Sequence, residues 1–310
     1  MRHTGSYPQE TKTGCVHCSK CLLLKHNRNA PGLLMKVITS ISNQENWWYN
    51  NMLVPSCRYH GLDLETLVFE EPWHTHRNKD VLLLNYLEGV DPDEIILFTD
   101  GYDTLFLTGE EEILGKFHTF ETPLVFTAEK NCWPDLSLAH RFPESPTISR
   151  YLNSGGFIGY AGVIKALLTK HPQPPVQYAA WKKPYWQMKK WLFGKEFHPA
   201  RKYPFSNQYY WSRIYLRHPE SVSLDYFSTI FQELTTPRVN FSPDQLHTLK
   251  EQCVEEQKAK DKARIFELFG IEDYRLVHRA TGERPCQLHF NGKVIKMLIH
   301  EPEFQGLIHW

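Results

Sequence analysis

The chain has 310 residues, 41% of them hydrophobic and 23% charged, the balance of a soluble globular protein with room for one large domain or two modest ones. Lys plus Arg and Asp plus Glu both number 35, so the formal net charge is zero and the basic excess of a generic nucleic-acid binder is missing. The N-terminal MRHTGSYPQETKTG has no apolar segment of the signal-peptide kind, and the most apolar long stretch, 151–168, holds Asn153, Ser154, four glycines and Lys165 and reads poorly as a membrane span. A soluble, cytoplasmic protein is expected, with no reading of its oligomeric state.

Residues 1–34 read as a polar N-terminal extension. There Cys15, Cys18 and Cys21 follow a C-x2-C-x2-C spacing. With His26 they make a Cys3His zinc set, or they belong to a flexible tail. The chain has seven Cys, an odd number in a long sequence, which argues against a disulfide scaffold. Met35, itself a candidate start, opens the strand-like MKVITSIS. Helix-like 44–61, strand 64–71, helix 76–90, strand 93–100, helix 110–120 and strand 122–129 follow. This alternation predicts an α/β domain with a mostly parallel, mixed sheet flanked by helices. The run DEIILFTD is apolar at successive positions, as in a strand buried on both faces.

Beyond residue 130 the pattern is less regular. A proline-punctuated loop covers 131–150, and YLNSGGFIGY (151–160) reads as a strand broken by its double glycine. A helix over 162–172 precedes a polar, aromatic, irregular stretch, 172–204, read as an insertion. Helix 206–216 follows, then a strand and a short apolar segment within 221–234. Ser242 and Pro243 make a helix start, so 242–270 reads as one long helix. A strand, a turn at Asn291-Gly292 and a helix close the chain.

FTDGYD ends the third strand, and ligands of open parallel sheets bind beyond the carboxyl ends of strands. Asp100 and Asp103 on a tight turn suit a hard divalent cation, although an Asp-rich β-turn looks the same locally. His289 and Asn291 alternate in LHFNGK and share one side of an extended segment. An Asp/Asp/His set suits Mn²⁺, which accepts carboxylate and imidazole.

Taken in order, ILFTDGYDTLF, VFTAEKNCWPD, YLNSGGFIGY, NQYYWSRIYL, SLDYFSTIFQ and LHFNGK resemble the glycosyltransferase domain of the procollagen lysyl hydroxylases and related collagen-type glycosyltransferases. The resemblance runs from about Met35 to the C-terminus, interrupted by 172–204 and by the long charged helix. It implies a nucleotide-diphospho-sugar transferase (GT-A) fold over 35–310 and a Mn²⁺-bound UDP-sugar, UDP-glucose or UDP-galactose. The implied acceptor is a hydroxyl on a protein or glycan, such as hydroxylysine in a collagen-like protein.

By the same resemblance Asp100, Asp103 and His289 ligate Mn²⁺ and Tyr102 stacks on uracil. Thr39 and Lys79 lie near the nucleotide, and Asn291 and Gly292 approach the diphosphate. Trp133 with Asn153, Ser154, Gly155 and Gly156 lines the sugar and acceptor pocket. One departure stands out. Where family members carry two aspartates, this chain has Ser206 and Asn207, and neither can act as a base near neutral pH. Asn207 is kept as a catalytic-site residue, and Asp135, with Glu129 the other nearby acid, is the expected base. Two rival readings remain: a transferase-like binding module without turnover, and a nucleotidyl- or phosphoryl-transferring enzyme.

Overall fold

The structure, a computed structural model, describes residues 35–70, 75–172, 183–193, 203–235 and 251–308. The cysteine cluster with His26 and the Ser242–Pro243 helix start lie outside them.

In chain order the first half contains β1 (Met35–Ile41), α1 (Val54–Tyr59), β2 (Leu64–Val68), α2 (Asn78–Tyr86), β3 (Ile95–Asp100), β4 (Thr104–Phe106), α3 (Glu110–Phe117), β5 (Leu124–Glu129), β6 (Tyr151–Tyr160) and α4 (Ala161–Lys170). The second half contains α5 (Lys183–Phe193), α6 (Asn207–Tyr215), β7 (Val222–Asp225), β8 (Phe231–Glu233), α7 (Glu251–Leu268), β9 (Phe269–Glu272), β10 (Arg275–His278), β11 (Gln287–His289), α8 (Lys293–Met297) and α9 (Pro302–Gln305).

Successive side chains of a strand point to opposite faces, and here both faces are covered. Ile38, Phe98, Phe126 and Phe157 pack on one side with α2, α4 and α6. Their neighbours Val37, Leu97, Val125 and Ile158 pack on the other with α1 and α3. This explains the uninterrupted apolar runs. The first face is centred on aromatic packing, with Phe157 between Phe98 (ring centroids 5.0 Å) and Phe126 (4.6 Å), and Trp211 of α6 against Phe126 at 5.0 Å.

The main sheet has the order β2-β1-β3-β6-β5-β7. β6 alone runs antiparallel to its neighbours, while β1–β2, β1–β3 and β5–β7 are parallel. This is the mostly parallel, mixed sheet flanked by helices that the alternating pattern predicts. A second sheet, β4-β11-β8, grows from the end of β3 and backs onto an apolar cluster containing Leu105, Leu288, Phe290, Ile295 and Phe304. No described helix is long and apolar enough to cross a membrane.

Several expectations are corrected. β6 is continuous, and its double glycine does not break it. Instead the register with β5 jumps from Phe126↔Phe157 to Thr127↔Asn153, so Ser154, Gly155 and Gly156 bulge out of the ladder. The helix expected over 44–61 is regular only as α1. Before it lies a wide π-helical turn, Tyr49–Leu53. Pro55 has no N–H to bond one turn back, and its ring crowds the carbonyl there. The stretch 172–204 is not irregular throughout, since it contains α5. Strand β4 and the β9–β10 hairpin are additions.

Candidate active site

The second sheet explains why a residue nearly 190 positions away meets the acidic turn. β3 ends at Asp100, turns through Gly101, Tyr102 and Asp103, and continues as β4. β11 pairs antiparallel with β4, opposing His289 to Thr104, and the Phe290 N–H donates to the Asp103 carbonyl at 2.7 Å. Gly101 is required by close approach. A Cβ there would lie 2.4 Å from the Ile41 side chain. Beneath the turn, Thr39 donates to the Thr99 carbonyl at 2.8 Å, and the Thr99 and Thr104 hydroxyls bond at 2.8 Å.

The two acids are held from outside and face inward. The Lys79 ammonium pairs with Asp100 Oδ1. Lys296 Nζ sits 3.1 Å from Asp103 Oδ2. Their other oxygens face His289, whose Nε2 is 3.4 Å from Asp103 Oδ1 and 4.0 Å from Asp100 Oδ2. One ligand atom from each of the three residues lies within 4.8 Å of the others. His289 is buried, yet neither ring nitrogen makes a hydrogen bond. At 3.4 Å the Asp103 contact is an ion-pair approach rather than a hydrogen bond. Burial alone would lower the imidazole pKa, but the Asp103, Asp100 and Glu233 charges raise it. Burial would likewise raise that of Asp103, and His289 with Lys296 overrides this and lowers it. A buried imidazole with unsatisfied nitrogens beside two carboxylates fits a divalent cation that accepts both N and O, Mn²⁺ among them.

The triad opens into a cleft of about 270 Å³. Of the residues expected at a site, Lys79, Asp100, Asp103, Trp133, Asn153, Ser154, Gly155, Asn207, His289 and Asn291 line it. The bulge of β6 forms one wall. The Gly155 N–H donates to Asn153 Oδ1 at 2.7 Å, and the Ser154 hydroxyl donates to Asn207 Oδ1 at 3.1 Å. Trp133, 40% exposed, stands on the rim. Ser206 also lines the cleft, although its hydroxyl caps α6 by accepting from the Tyr209 N–H at 3.1 Å.

Five expected residues are not among those lining the cleft, and one of them, Gly156, packs against Gln287, Thr127 and Phe231 instead. Thr39 is buried under the turn. The Tyr102 hydroxyl accepts from the Ser42 and Asn43 N–H groups at 2.8 and 2.6 Å, which fixes the ring over the end of β1. Gly292, at φ +124°, starts α8. Asp135, the expected base, does not line the cleft, and its Oδ1 accepts from the Ser137 N–H (3.1 Å) and hydroxyl (2.6 Å) and caps the turn after it. Besides Asp100 and Asp103, the acid lining the cleft is Glu129, held by the Gln208 amide. His76, Asn131, Gln208 and Thr235 also line the cleft, and these polar residues carried no local pattern that sets them apart. Lys296 carried none either.

Residues 35–175 match the family model described as "PLOD GT domain". The chain is 35% identical over 161 residues to the Drosophila melanogaster procollagen-lysine,2-oxoglutarate 5-dioxygenase, covering 44% of this chain and 22% of that protein. It is 34% identical over 146 residues to the human multifunctional procollagen lysine hydroxylase and glycosyltransferase LH3, covering 46% and 16%. Over 81 residues it is 47% identical to the uncharacterized protein R699 of Acanthamoeba polyphaga mimivirus, covering 25% and 18%. The matches thus span about a fifth of the length of these relatives. Among solved structures, a glycosyltransferase involved in glycosylation of the major capsid of PBCV-1 superposes with a TM-score of 0.42 at 10% identity, over 84% of this chain and 94% of that one, a likeness too loose to argue from. Over residues 35–175, the chain is similar to the glycosyltransferase domains of the PLOD family.

Proposed function

We propose that residues 35–310 form a Mn²⁺-dependent GT-A transferase that moves a hexose, glucose or galactose, from a UDP-sugar to a hydroxyl acceptor, with hydroxylysine or a glycan on a collagen-like protein as the acceptor class. The carrying observation is the convergence of Asp100, Asp103 and the unsatisfied, buried imidazole of His289 at the carboxyl end of β3. A divalent cation held by these three supplies charge neutralisation to the diphosphate leaving group.

The chain's own residues do the rest. Lys79 and Lys296 hold the outer carboxylate oxygens, which keeps the inner ones aimed at one point. Ser154 and Asn207 offer a hydroxyl and an amide to sugar hydroxyls. The exposed Trp133 indole offers an apolar face to a sugar ring. Glu129, which lines the cleft and is oriented by the Gln208 amide, is the acid placed to accept a proton from an acceptor hydroxyl.

The test is UDP release across a panel of sugar donors with Mn²⁺. Turnover with UDP-glucose or UDP-galactose is expected, falling at least about 100-fold in Asp103→Ala, where a negative ligand to the leaving-group cation is lost. Undiminished turnover in that variant sinks the metal assignment. A second reading, a donor-binding module without transfer, is favoured by the use of Ser206 as a helix cap and by Asn207, neither of which is a base. Stabilisation by UDP with Mn²⁺ but no UDP release decides for it.

A further inference from the structure

Helix α5, KPYWQMKKWLF, presents an apolar face to solvent. Trp191 is 83% exposed, and Tyr185, Met188 and Leu192 are each about half exposed. At about 100° per residue, Tyr185, Met188, Trp191 and Leu192 fall within one arc of about 120°. The helix also carries three lysines, Lys183, Lys189 and Lys190, and no acidic residue. Its eleven residues make a rod of about 16 Å. The surrounding sequence has the same bias. Residues 172–204 hold seven Lys or Arg and a single acid, Glu196, in a chain of zero formal charge.

This combination constrains the partner. It must be anionic to complement the lysines, and it must offer an apolar layer to Leu192, Met188 and the two exposed rings. An acidic soluble polymer offers the charge alone. The surface of an anionic bilayer offers both, and Trp and Tyr favour the headgroup–acyl boundary, where one end of the side chain is apolar and the other wet. We propose that α5 is a peripheral membrane anchor. It lies flat in the boundary of an anionic phospholipid bilayer, with Tyr185, Met188, Trp191 and Leu192 toward the acyl chains and its lysines at the phosphates. The proposal is independent of the transferase reading, because none of these residues lines the cleft.

The test is sedimentation of the full chain with phosphatidylcholine vesicles, with and without phosphatidylserine. Phosphatidylserine should tighten binding at least about tenfold, and salt should weaken it, as expected for a few lysines at an anionic surface. Lys189→Glu with Lys190→Glu should reduce binding to the mixed vesicles by about tenfold or more, through charge reversal. Trp191→Asp with Leu192→Asp should do the same through lost insertion. Tyr59→Asp, at an exposed residue of α1, should bind as wild type. Equal binding to both vesicle types, or wild-type binding by both α5 variants, overturns the proposal. So does retention on polyglutamate or single-stranded DNA without vesicle binding, which assigns the helix to a soluble acidic partner.

Discussion

At the scale of single residues, the two glycines of the β6 bulge separate stability from metal binding. A Cβ on Gly155 would lie 2.2 Å from His289 Cε1 and 2.7 Å from Nδ1, so Gly155→Ala must displace the imidazole. A Cβ on Gly156 would instead meet Gln287 Oε1 at 2.6 Å and Thr127 Oγ1 at 2.8 Å, and would leave His289 in place. Both substitutions overpack a buried site and should cost about 1–3 kcal/mol of stability. Only Gly155→Ala should also weaken Mn²⁺ binding, by about tenfold or more, since a misplaced ligand loses coordination geometry. Melting temperatures of both variants, with and without Mn²⁺, check this. An equal metal-induced rise in the two refutes the role given to Gly155. These glycines also show what a local pattern can hold. The double glycine announces a bulge, but not that the bulge makes room for a ring 134 residues further along the chain.

At the scale of elements, the strands of the main sheet were legible because burial on both faces forces continuous apolar runs. β4 was not, because it has only three residues and exists to bring β11 to the acidic turn. The hairpin was hidden for another reason. Its turn residues, Asp273 and Tyr274, both have positive φ, 48° and 62°. That geometry suits a tight two-residue turn, usually signalled by Asn-Gly or Asp-Gly, and Tyr at the second position gives no such signal. The Tyr274 side chain is exposed, so its removal empties no core. Replacing Asp273-Tyr274 by Asn-Gly should therefore stabilise the protein by about 1 kcal/mol, the relief of left-handed strain less the added freedom of glycine when unfolded. Chemical denaturation measures this. A loss of stability shows that the Tyr274 ring contributes more than its exposure suggests.

At the scale of the whole molecule, the site depends on how the C-terminal layer is fastened to the main sheet. Asp100 and Asp103 were readable at the end of β3, whereas Lys296 and the cleft's amides are brought there only by long-range pairing. One fastening is Glu112 of α3, which takes both arms of the Arg275 guanidinium from β10 at 3.0 Å each. It also accepts from Thr108 at 2.6 Å and lies 2.9 Å from Lys116. Arg275 in turn donates to the Arg284 carbonyl at 2.9 Å, just ahead of β11. Burial by itself would raise the Glu112 pKa, but the Arg275, Thr108 and Lys116 donors lower it from 4.5 to about 2. A carboxyl depressed in the folded state adds stability above its unfolded pKa and loses it as pH falls through the folded one. The contribution is therefore full above about pH 4.5 and fades toward pH 2. Because the side chain is 35% exposed, solvent screening holds the effect at neutral pH to about 1 kcal/mol. Glu112→Gln should accordingly melt below wild type at neutral pH, and the gap should close as the pH is lowered through that window. A gap that stays constant down to pH 2 means that shape, not charge, makes the clamp.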